Sequence, residues 1–149
     1  MAARKVAKVA REKKLFTVSQ ANATLPLVKA IVADIAELAN SLRDRHSRLE
    51  RAGAQEGKNL SAAHREELQE AERDFERDQE RLVEYVEELK VLGVELKDYY
   101  SGLIDFPSWY ENRVIYLCWR LGEDKVGHWH EVDTGFAGRQ RLTARMAKE

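Results

Sequence analysis

The chain has 149 residues, 44% of them hydrophobic, which is enough for one cored domain, or for one domain with an appendage. A charged fraction of 34%, with eight glycines and two prolines, suits long solvated helices better than a compact α/β enzyme. One cysteine excludes an internal disulfide, and no run of about 18 apolar residues is present to span a membrane.

The net charge of −1 is unevenly placed. Residues 1–14 carry six basic side chains and one acidic, residues 139–149 carry four basic and one acidic, and the 124 residues between them hold a net −9. A basic arm can hold nucleic acid or an anionic membrane by counterion release. Here the acidic body opposes a nucleic-acid backbone, so the two ends read as a flexible arm over 1–14 and a basic tail over 139–149. "MAARKVAKVAREKK" has no apolar stretch of the signal-peptide kind. It also lacks the Trp, Phe or Leu that would seat it on a membrane. The expected location is the cytoplasm.

"LFTVSQANATLPLV" opens the expected domain, residues 15–138. Ser19 can N-cap a short turn through Asn22, and Pro26 suits the first turn of the helix that follows. That helix should run from about Leu25 to about Ala52. Val28, Ile35, Leu42 and Leu49 recur every seven residues, with Ile31 and Leu38 three places later, an a/d seam that breaks at Arg45. "GAQEGKNL" reads as a loop, and Ser61 as the N-cap of a second helix reaching about Leu92. Its seam is Leu68, Phe75, Leu82 and Leu89, with Ala71, Tyr85 and Leu92 in the second set and Asp78 interrupting. Two such seams predict an antiparallel helical hairpin over about 25–92. Ile31 with Val32, and Leu82 with Val83 and Val86, widen the stripes beyond what one hairpin can bury, which predicts a homodimer through the helices. Glu70–Arg73, Asp74–Arg77 and Asp78–Arg81 have the spacing of surface ion pairs, each worth about 0.2–0.5 kcal/mol. A di-iron bundle finds no support, since neither His46 nor His64 follows a Glu by three residues.

Beyond Gly93 the period changes. "VELKDYY", "GLIDFPSW", "NRVIYLCWR" and "KVGHWHEV" are short, rich in β-branched and aromatic residues, and separated by turn residues. They predict three or four antiparallel strands over about 94–132, with "LGEDK" the tightest turn. "DTGFAGRQRLTARMAKE" should leave the sheet and trail over the surface. Its Gly135 and Gly138 have the spacing of a phosphate-approaching loop, but no flanking helix pair of the KH type accompanies them.

Residues 118–140 hold the only cysteine, two of the three tryptophans and two of the four histidines. Strand side chains alternate faces, so Ile115, Leu117 and Trp119 share one face while Tyr116, Cys118 and Arg120 share the other. Val126, His128 and His130 share a face of the next strand, and register decides which set they join. The tighter loop pairs Leu121 with Val126, puts His128 opposite Trp119 and His130 opposite Leu117, and turns Cys118 away. This is the preferred register. A slip of one residue would set Cys118 opposite His128. Only then could Cys118, His128, His130 and Glu131 hold a transition metal, or His128 activate Cys118 as a nucleophile. Cys-x9-His-x-His matches no common zinc spacing, and a structural site needs four ligands, which Glu131 or Asp105 would have to complete. No cofactor is therefore predicted, and Cys118 reads as a small buried residue beside histidines that cap a half-exposed face. Asp105, Glu123, His130, Glu131 and Arg139 instead fall at strand ends or turns around two tryptophans, a charged and aromatic cluster able to bind a polar ligand or a peptide.

"LFTVSQANATLPLV", "GLIDFP", "VIYLCWRLGE", "HWHE" and "GFAGRQ", in that order over about residues 15–142, resemble the uncharacterised prokaryotic family called domain of unknown function 2203. The resemblance implies a helical hairpin followed by a small sheet, and it implies no activity. Its motifs single out Asn22 and Pro26 in the opening segment. In the sheet they single out Lys97, Asp105, Phe106, Pro107, Cys118, Trp119, Glu123, Trp129, His130 and Arg139. The chain departs from the pattern at "SQAN", where an acidic residue is expected before "AN", and at "RQRL", where "RQP" is expected.

The expected protein is α+β, a long antiparallel helical hairpin followed by a small C-terminal antiparallel β-meander. Its expected function is that of a non-enzymatic binding or scaffold module. Asp105, Trp119, Glu123, His130 and Arg139 would face a protein or a small polar ligand. One rival is a metal-dependent protein or enzyme using Cys118, His128, His130 and Glu131. Another is a nucleic-acid accessory protein acting through its basic tails.

Overall fold

A computed structural model describes residues 13–54 and 61–148. The basic arm apart from Lys13 and Lys14, and the "GAQEGKNL" loop beyond Ala54, lie outside the described residues. Two long helices, α1 (Val18–Ala54) and α2 (Ala62–Val91), precede five strands: β1 (Glu95–Asp98), β2 (Leu103–Tyr110), β3 (Arg113–Arg120), β4 (His128–Glu131) and β5 (Gln140–Arg141). The protein is α+β, a helical hairpin followed by an antiparallel meander in the order β1-β2-β3-β4-β5.

α1 begins at Val18, not near Leu25, and the cap is Thr17 rather than Ser19. The Gln20 N–H donates to Thr17 Oγ1 at 3.1 Å, while the Thr17 N–H donates to Gln20 Oε1 at 3.0 Å. This reciprocal capping box satisfies two N–H groups and starts the helix early. Pro26 therefore lies inside the helix, where its ring removes the bond to the Asn22 carbonyl. Ser61 caps α2 as expected, accepting from the His64 N–H at 3.2 Å. α2 ends at Val91, and Gly93 just beyond it has a φ of +85° that lets the chain turn back. The Gly93 N–H reaches the Lys90 carbonyl and the Val94 N–H reaches the Leu89 carbonyl, with Leu89 and Val94 both buried.

Val28, Ile35 and Leu42 of the α1 seam are buried, whereas only Leu89 is buried on α2. The two residues that break the seams meet across the hairpin: Arg45 Nη1 lies 2.7 Å from Asp78 Oδ2. Asp78 is thus turned inward and makes no rung with Arg81. Of the three expected surface pairs, Asp74–Arg77 is formed at 3.1 Å.

The sheet packs one face, the inner one, on the helices. Ile104, Phe106, Ile115, Leu117 and Trp119 join Val28, Val32 and Ile35 in one core, with Phe16 edge-on to Phe106 at 5.2 Å. Three expectations change here. The tightest turn is Glu111–Asn112, both with positive φ, and not "LGEDK". Residues 121–127 make a longer connection because α1 binds them. Asn22 Oδ1 accepts from the Val126 N–H at 2.8 Å, Lys29 Nζ donates to the Asp124 carbonyl at 2.9 Å, and Val126 is buried in the core. Drawn down in this way, the loop cannot close at Leu121–Val126, and the preferred register gives way to the slipped one. Cys118 pairs with His128, Leu117 with Trp129 and Tyr116 with His130. Finally, the chain past residue 138 does not trail away: Gln140–Arg141 forms a fifth strand on β4, and Met146 is buried against α1.

Candidate functional site

The outer face of the sheet should be the wet one, yet its middle is buried. Asp105 and Cys118 lie opposite one another on β2 and β3, and His130 follows on β4 beside Tyr116. Asp105, Cys118 and His130 are 2%, 0% and 2% exposed. One ligating atom of each lies within 4.8 Å of the others. His130 Nδ1 is 2.7 Å from the Glu131 carbonyl oxygen, which can only accept, so Nδ1 carries a proton. His130 Nε2 is 2.9 Å from Asp105 Oδ2, and a second proton must sit between them, on one or the other. Either way the pair is neutral as a unit. Burial pushes the Asp105 carboxyl up, against the opposing pull of the His130 hydrogen bond and charge. Asp105 Oδ1 is buried with no hydrogen-bond partner, and the neighbouring Cys118 thiol is only a weak donor.

Burial, and next the Asp105 charge, push the Cys118 thiol up to about 12, with Arg139 pulling the other way. Arg139 is the second centre of the face. Its guanidinium grips the Glu123 carboxylate with both Nη atoms, contacts His128 Nδ1 at 3.1 Å and approaches Cys118 Sγ at 4.0 Å. Partial burial raises the Glu123 carboxyl, but Arg139 and the Arg120 N–H bring it below the usual carboxylate range. Burial and the Arg139 charge lower His128.

The segment after β4 folds back over the face as a roof and leaves a cavity of about 190 Å³. Its lining is polar at Asp105, His130, Tyr116 and Lys97 and apolar at Leu103, Val132 and Phe136. Lys97 is the extra residue of a bulge in β1, and its Nζ lies 5.2 Å from the centre of the Tyr116 ring. Lys13 Nζ donates to Tyr116 Oη at 2.6 Å, and Glu95 joins both lysines.

The expected five-residue cluster divides. Asp105 and His130 form one group and Glu123 and Arg139 another, with Cys118 between them. Trp119 is on the inner face, buried, its indole N–H donating to the Glu123 carbonyl at 3.1 Å. The hairpin metal set does not assemble either: Glu131 is held by Arg113, with Nε to Oε1 at 2.6 Å, and His128 stands beside Arg139. His130 is buried rather than half-exposed. Sequence reading passed over Tyr116, Leu103, Val132 and Phe136 as site residues, and reached Lys97 only through a resemblance. One signal was present in "GLIDFP", where an acid sits between apolar strand residues and so must be buried beside a partner.

The family model described as "Uncharacterized conserved protein (DUF2203)" matches residues 14–142. No curated protein and no solved structure matches the chain.

Proposed function

The chain belongs to the uncharacterised conserved family DUF2203, which assigns it no activity, and from the geometry we propose that it is a binding module for a small organic anion held in the cavity beneath the roof. The observation that carries this is the mixed lining of that cavity, in which Lys97 and the Asp105–His130 pair stand with Leu103, Val132 and Phe136. The sign of the ligand follows from the local charges. Asp105 and His130 cancel whichever of them holds the proton. Among the described residues Lys97, in the lining, and Lys13, beside it on Tyr116, are opposed by Glu95 alone, so the local charge is cationic. The size follows from the volume: a cavity of about 150 Å³ accepts benzene, so this one fits roughly seven to nine heavy atoms, up to the size of benzoate. A thiol raised to about 12 is a poor nucleophile at neutral pH, which favours binding over covalent chemistry at Cys118. The tail reading has less behind it, since Arg139 faces Glu123 and Arg141 lies in β5. We place the protein in the cytoplasm, where a free thiol stays reduced, and as a dimer through its helices.

The test is an amide NMR titration of the full chain with formate, propionate and benzoate. Benzoate is expected to shift the amides of Lys97, Asp105, Tyr116, His130 and residues 132–136, and to lose that effect in Lys97→Met. No shifts there with any of the three acids would overturn the reading.

A further inference from the structure

Three metal-ligating side chains meet on the outer face, and they are not the set suggested by the hairpin spacing. We propose that Asp105, Cys118 and His130 bind a divalent transition metal of the zinc class, through a carboxylate oxygen, Sγ and Nε2. The ligands come from three adjacent strands, so the ladder itself holds them in place. Around a zinc ion, N, O and S ligands at about 2.0–2.3 Å stand roughly 3.3–3.6 Å apart at the tetrahedral angle. Atoms already within 4.8 Å of one another need small shifts to reach that spacing.

Two further observations point to a cation. The first is the His130 Nδ1–H bond to the Glu131 carbonyl, which fixes the ring and leaves Nε2 aimed at Asp105, as the outer hydrogen bond of a metal-bound histidine does. The second is Asp105 Oδ1, a buried carboxyl oxygen that among the described residues has no hydrogen-bond partner beyond the weak thiol donor of Cys118. Glu131 contributes its backbone carbonyl to this arrangement, not its side chain. Thiolate and imidazole together select zinc, iron or cobalt over magnesium or calcium.

Binding displaces the thiol proton of Cys118 and the proton held between Asp105 and His130, and leaves Nδ1–H in place. The carboxylate and thiolate then cancel the charge of the ion, so the net charge of the face is the same before and after. The local cationic charge is kept, and three protein ligands leave a fourth position for water or for the bound anion. The metal site does not depend on the small-anion reading, because it uses neither Lys97 nor the roof.

Cobalt(II) added to the chelator-treated full chain is the probe. The expected result is one cobalt per chain by native mass spectrometry, with a thiolate-to-cobalt charge-transfer absorption that zinc abolishes. Cys118 is the only cysteine, so that absorption in the unmutated chain identifies its ligand without any variant. His130→Ala should weaken binding at least about tenfold. A chain that is folded by circular dichroism and takes up no cobalt, or takes it up without the absorption, overturns the proposal. So does a His128→Ala chain that loses the metal while Asp105→Asn keeps it, since that is the hairpin set of Cys118, His128, His130 and Glu131. Benzoate titration of the metal-free chain reads the anion site separately.

Discussion

Arg139 closes the outer face. Its fork holds Glu123 at one end of the sheet, its charge reaches His128 and Cys118, and its plane lies 4.8 Å from the centre of the Phe136 ring in the roof. The Glu123 carboxyl titrates below its ordinary value, so the stability it contributes is present above about pH 4.3 and disappears as pH falls through the lower, folded value. Glu123→Gln is expected to cost about 1 kcal/mol near pH 7, a fall of roughly 2–4 °C in Tm. As pH falls through that folded value the two proteins should come to melt together. Thermal melts across that range check this, and a deficit that persists in acid would mean that packing, not charge, is at issue. Asp105, Glu123, His130 and Arg139 were each legible in the sequence as polar residues beside aromatic ones. Their grouping was not, because it depends on which face each residue takes. Trp119 shares a face with Leu117 whatever the register, and it was the histidines that moved to the other side.

At the scale of the elements, Gly102 shows how tightly the sheet sits on α1. Its φ is +69°, its carbonyl accepts from the Leu121 N–H, and an added Cβ would lie 2.8 Å from both Leu121 Cβ and Val32 Cγ1. Gly102→Ala should cost about 2–4 kcal/mol, left-handed strain plus overpacking. Gly122→Ala, at φ +104° with nothing within 4 Å, should cost only the strain, about 1–2 kcal/mol. Urea melts of the two variants separate the contributions, and equal losses would mean that Gly102 matters for its backbone alone. The helices were readable because Val28, Ile35 and Leu42 repeat along one stripe, and Ser61 and Gly93 mark ends by local rules. Arg45 and Asp78 were readable only as faults in two seams; that they are each other's partner needs the hairpin closed. The β3–β4 register was not readable, since the path of residues 121–127 is set by Asn22 and Lys29, about a hundred residues earlier in the chain.

At the scale of the whole molecule, the two helices have more apolar surface than one chain covers. Leu27, Val83 and Val91 are 55%, 61% and 82% exposed, and an apolar groove lined by Leu42, Phe75, Leu82 and Val83 runs between the helices. Light scattering is expected to give twice the 17.2 kDa chain mass, and Leu27→Glu with Val83→Glu to give the single mass with the sheet intact. A native chain that runs at the single mass at micromolar concentration would refute the dimer. The roof has a different consequence, set by the order of synthesis. Asp105 and Cys118 leave the ribosome well before Arg139, which at about 5–20 residues per second amounts to roughly 2–7 s between the first and the last. For the last 19 residues of that interval, about 1–4 s, the helices and the β2–β3 hairpin can already be in place while the acid and the thiol have no cover. The nascent chain thus passes through a stage in which its scaffold is built and its most reactive atom is still open to the cell.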